Sequence, residues 1–111
     1  MSEEKKGQPI DMINTVGYAD DAVVSKTLLD KKAGTLTLFS FDVGQGLSEH
    51  TAPYDATVQV IDGEAAITID GKTQTVNAGE LIIMPANIPH ALRAEKRFKM
   101  LLIMIREKDA N

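Results

Sequence analysis

Short β-branched runs, broken at near-regular intervals by turn residues, constrain this chain more than any other feature. From Ala22 onward, eight such runs occupy residues 23–29, 36–43, 57–61, 65–69, 73–76, 81–84, 88–92 and 98–105. Between them stand Lys32-Ala33-Gly34, Gly44-Gln45-Gly46, Asp62-Gly63, Asp70-Gly71, Ala78-Gly79 and Pro85-Ala86-Asn87. No stretch sustains the 3.6-residue period of an amphipathic helix, so each run reads as a strand. Asp-Gly favours the left-handed two-residue turn whose twist matches the strands it joins, and residues 67–75 therefore read as a tight hairpin. Many short strands at this spacing predict an all-β fold, an antiparallel sandwich or barrel of jelly-roll type.

With 111 residues the chain has room for one core. Residues 1–20 are expected to form an irregular N-terminal segment, 21–107 the β-barrel domain and 108–111 a tail. Residues 1–9 are polar and broken by Gly7 and Pro9, while 10–18 follow no clear period and read as a short helical turn or an irregular lead-in. Sixteen acidic residues against twelve basic ones give a net charge of -4, with no basic patch interleaved by aromatics, so nucleic acid is not an expected partner. The absence of cysteine removes disulfides, thiolate ligands and a thiol nucleophile. No apolar run approaches the length of a signal peptide or a bilayer span, so no membrane association and a cytoplasmic location are expected.

The last run, residues 98–105, is apolar on both faces from Met100 to Ile105, whereas a strand with one wet face alternates. Something must cover its outer side. A second copy is the expected cover, making a homodimer; the N-terminal segment is the other candidate.

Chemistry concentrates on the two histidines, His50 and His90. Gly44 is followed after five residues by His50, then by Ala52, Ala56 and, six residues later, Gly63. Gly79 is followed after five residues by Pro85, then Asn87 and His90. Over roughly residues 36 to 105 the chain resembles the cupin superfamily, whose jelly-roll β-barrel agrees with the strand reading. The resemblance implies that residues forty apart in sequence meet in the barrel and hold a divalent metal (iron, manganese, nickel or zinc). It also implies a departure: the usual second histidine and the glutamate of the first motif correspond here to Ala52 and Ala56.

Two imidazoles are fewer than the three protein ligands a metal site ordinarily supplies. Asp55 and Gln59 are the candidate third donors; both have strand parity opposite to Ala56 and turn inward only if a bulge shifts the strand. Glu49 and Tyr54 are weaker candidates. The two alanines widen the interior, so Ala52, Ala56, Val58, Val60, Met84 and Leu92 are expected to line a pocket with apolar walls suited to a small organic molecule. Met84, Met100 and Met104 either line it as thioethers or pack as plain core. Ser48 and His50 share a strand face, but no acid is placed to activate the pair, so a serine nucleophile is not expected. No Gly-rich loop precedes a helix and no helix-turn-helix accompanies the barrel. The expected function is metal-assisted action on a small organic molecule, of the dioxygenase or isomerase kind. The alternative is a metal-free, small-ligand-binding or regulatory protein.

Overall fold

A computed structural model of the chain describes residues 5–107, and the expected tail at 108–111 lies outside the described residues. One helical turn, α1 (Met12–Thr15), precedes eight strands: β1 (Val23–Lys31), β2 (Gly34–Phe41), β3 (Gly46–His50), β4 (Ala56–Ile69), β5 (Lys72–Asn77), β6 (Leu81–Met84), β7 (His90–Arg93) and β8 (Phe98–Ile105). All pairings are antiparallel. The sheet runs β1-β2-β8-β4-β7-β3, with β5 and β6 also paired to β4.

β4 organises this sheet. Its first half, Ala56 to Val60, pairs with β8 and β6; its second half, Glu64 to Ile69, pairs with β5 and β7. The ladder to β8 slips by one residue between Val60 and Asp62, and Gly63 takes a left-handed φ of 73°. A Cβ there would strike the Arg97 carbonyl, so glycine is required by close approach as well as by φ. This bulge bends β4 from one wall of the jelly roll into the other. Asp62-Gly63 is therefore not the turn its sequence suggests, and runs 57–61 and 65–69 are one strand. Asp70-Gly71 does form the expected hairpin, with both residues left-handed at φ 51° and 80°.

Inside, alternate residues of each wall interlock. Val58 and Val60 of β4, Ile67 beyond the bulge, Phe41 of β2, and Phe98 and Met100 of β8 are all fully buried. Phe41 stacks on Phe98 with ring centroids 4.4 Å apart. Outside, the N-terminal segment straps part of the sheet. Val16 packs against Leu38 and Leu101. Ser40 donates to the Gly17 carbonyl at 2.7 Å, Tyr18 donates to Asp62 at 2.6 Å, and the Arg97 and Lys99 cations both lie over the Tyr18 ring. The segment reaches Leu101 but leaves Ile105 largely exposed, along with Leu81 and Ile83 of β6. Among the described residues, no helix is long and apolar enough to cross a membrane.

Candidate functional site

β3 and β7 run side by side and place His50 directly opposite His90. β3 is not among the apolar runs because Leu47 is its only large apolar residue. His90 is delivered by a sharp loop: Asn87 is left-handed at φ 64°, and Pro89 cannot donate to a ladder, so β7 begins at His90 rather than Ile88. On β3 one extra residue intervenes between the Leu47–Leu92 and His50–His90 pairs. That bulge lets residues of opposite parity, Leu47 and His50, face one interior.

The rings meet edge to face, with centroids 4.5 Å apart, an interplanar angle of 74° and a separation of 3.2 Å between the two Nε2 atoms. The other nitrogen of each ring is already engaged: Nδ1 of His50 lies 2.7 Å from the Ser48 carbonyl oxygen, and Nδ1 of His90 lies 3.2 Å from that of Ile88. A carbonyl only accepts, so the Nδ1 contacts favour hydrogen on Nδ1 and leave the Nε2 of each ring facing the other. At this distance either a proton on one Nε2 or another cation satisfies both nitrogens. His90 is buried whereas His50 stands exposed at the mouth. Burial, and secondarily the proximity of His50, push the His90 pKa below its usual 6.5 against the opposing pull of the Ile88 carbonyl. A depressed pKa keeps the Nε2 lone pair free near neutral pH.

The spacing of the two nitrogens by itself would suit a metal ion. Two nitrogens each about 2.0–2.1 Å from one tetrahedral ion stand about 3.3 Å apart, close to the spacing observed. The expected third donors do not join them. The Asp55 carboxylate accepts the Ala86 backbone N–H at 2.9 Å, tying the loop after β3 to the loop after β6. Asn87 N–H donates to the Ala52 carbonyl at 2.7 Å across the same junction. Gln59 alternates with the buried Val58 and Val60 and so faces the other side of β4. Among the described residues, no three His, Cys, Asp or Glu side chains are grouped so as to hold a metal ion.

Behind the pair lies a cavity of about 140 Å³. Ala52, Ala56, Met84 and Leu92 line it together with the two histidines. Val58 and Val60 face the same interior but are sealed in the core beneath. Met100 and Met104 belong to the lining, as do Leu47 and Leu102, which sequence reasoning missed. Leu102 shares inward parity with both methionines and could have been found from the β8 pattern; Leu47 depends on the β3 bulge and could not. A void of about 150 Å³ with apolar walls admits a molecule the size of benzene.

Residues 37–106 match the family model described as a cupin domain. Among solved structures, the chain is 38% identical to a conserved protein of unknown function from Streptococcus pyogenes, over 98% of both chains with a TM-score of 0.89. It is 44% identical to a cupin 2 conserved barrel domain protein from Leptotrichia buccalis, over 86% of this chain and 47% of that one, at a TM-score of 0.84. The chain thus spans about half the length of the Leptotrichia protein. A cupin superfamily protein from Desulfitobacterium hafniense is 26% identical over 96% of this chain and 97% of that one, with a TM-score of 0.87. Comparison with curated proteins gives no match.

Proposed function

The chain belongs to the cupin family, and we propose that it binds a transition-metal ion on Nε2 of His50 and His90 and acts there on a small organic molecule held in the cavity behind them. The observation that carries this reading is the approach of the two Nε2 atoms to 3.2 Å with the Nδ1 of each ring held at a backbone carbonyl. A bound ion would supply a Lewis-acid or redox centre for chemistry of the dioxygenase or isomerase kind. The protein's own groups do the rest. The carbonyls of Ser48 and Ile88 hold the rings in register, and the alanines at 52 and 56 leave room. The leucine and methionine walls exclude water and favour a compact, largely apolar ligand with one polar end directed at the histidines.

Metal analysis of protein purified without chelator, and after incubation with iron, manganese, nickel, zinc or copper, tests the proposal. About one ion per chain, lost in both His50→Ala and His90→Ala, is the expected result. Absence of metal under every condition would shift the balance to a second reading, a metal-free small-ligand-binding or regulatory protein. That alternative is favoured by the predominantly apolar lining and by Ala52 and Ala56. The proposal also places the protein in the cytoplasm as a homodimer, with the outer apolar face of β8 and β6 beyond the N-terminal strap as the contact.

A further inference from the structure

We propose that the ion this pocket suits is soft and monovalent, of the copper(I) class, held by the two imidazoles together with thioether sulfur from Met84 and Met104. The inference rests on the reading that His50 and His90 bind a metal, and it concerns what completes the site. Ala56 stands where the family resemblance implies a carboxylate. In the β4 ladders Ala56 pairs with Met84 of β6 on one side and Met104 of β8 on the other. The vacated position is thus flanked, in register, by two thioether side chains that line the same cavity as both histidines.

Of the expected hard donors, Asp55 accepts the Ala86 amide on one oxygen and Gln59 lies on the opposite face of β4, and neither lines the cavity. Sulfur is the remaining side-chain donor in the lining. Thioethers select copper(I) and are poor ligands for ions that prefer carboxylate and water. Charge points the same way: a divalent ion without a carboxylate would carry two uncompensated charges into an apolar cavity, and a monovalent ion only one. Met100 supplies an internal control. It lines the cavity but pairs with Val60, four residues from Ala56 along β4, and is completely buried.

Anaerobic titration of the full chain with copper(I), in competition with a chromophoric copper(I) chelator, tests the assignment against parallel titrations with zinc(II) and nickel(II). Copper(I) is expected to bind one to one and more tightly than either divalent ion. Met84→Leu and Met104→Leu, which preserve volume, are each expected to weaken copper(I) by about tenfold or more. Both should leave zinc affinity within about twofold, as Met100→Leu should leave copper affinity. Thermal unfolding of each variant checks that the barrel is intact, and copper-edge X-ray absorption should show sulfur neighbours that disappear in the double Met84→Leu, Met104→Leu variant. Copper(I) bound no more tightly than zinc, or bound equally by every methionine variant, overturns the thioether assignment. In that case zinc or nickel binding that still requires both histidines leaves the metal reading standing. No binding of any ion overturns both.

Discussion

Hydrogen-bond chemistry at single atoms decides what the two histidines can do. Because Ser48 and Ile88 present carbonyl oxygens to the two Nδ1 atoms, hydrogen is favoured there, and a proton on one Nε2 or another cation satisfies the pair. The same argument predicts what a hard donor would do at the vacated position. Ala56→Glu places a carboxylate between Met84 and Met104; isothermal titration should show zinc bound about tenfold or more tightly than by the parent. Without metal, burying that charge should cost about 3 kcal/mol or more in chemical denaturation. Asp42 accepts Arg97 Nε and the Asp21 amide, each at 2.7 Å. The Arg97 hydrogen bond, followed by the amides of Asp21 and Val43, lowers its pKa from 3.8 to about 2. A lowered folded-state pKa contributes stability that is complete above about pH 4 and lost as pH falls toward 2. Asp42→Asn should therefore flatten the acid limb of a stability-versus-pH curve between those values. His50 and His90 were legible in the sequence because the chain's only two histidines stand at motif spacing. The fate of Asp55 was not, since its partner Ala86 lies thirty-one residues away in a loop whose path depends on Asn87.

Identical dipeptides made different elements. Asp70-Gly71 turns a hairpin because both residues are left-handed; at Asp62-Gly63 only the glycine is, and the chain continues as one bent strand. Local sequence cannot separate the two outcomes. What decides is whether the following residues find ladders elsewhere, as 64–69 do on β5 and β7. Gly63→Ala is predicted to combine left-handed strain with collision against the Arg97 carbonyl and to destabilise by about 3 kcal/mol or more. Gly71→Ala meets no atom and should cost only about 1–2 kcal/mol. Urea denaturation of the two variants side by side checks the difference, and equal losses would contradict the bulge as the corner of the fold. β3 escaped the sequence reading for a related reason: four of its five residues are exposed, so no apolar run marks it.

Across the whole molecule, the N-terminal strap covers only part of the outer sheet. The N-terminal strap accounts for Leu38 and Leu101, whereas Leu81, Ile83 and Ile105 are each more than half exposed. Sedimentation at micromolar concentration should give a dimer for the parent and a monomer with unchanged circular dichroism for Ile83→Glu combined with Ile105→Glu; a monomeric parent contradicts the proposed contact. The jelly roll also brings residues forty apart in sequence into register, so that the two imidazole Nε2 atoms lie 3.2 Å apart. Nitrogen-15 NMR of the histidine rings tests that arrangement most directly. In metal-free protein both rings should carry hydrogen on Nδ1, and one equivalent of added metal should shift both Nε2 resonances together, reaching an end point at one ion per chain. A ring carrying its hydrogen on Nε2, or a metal that moves one imidazole and not the other, would contradict the account.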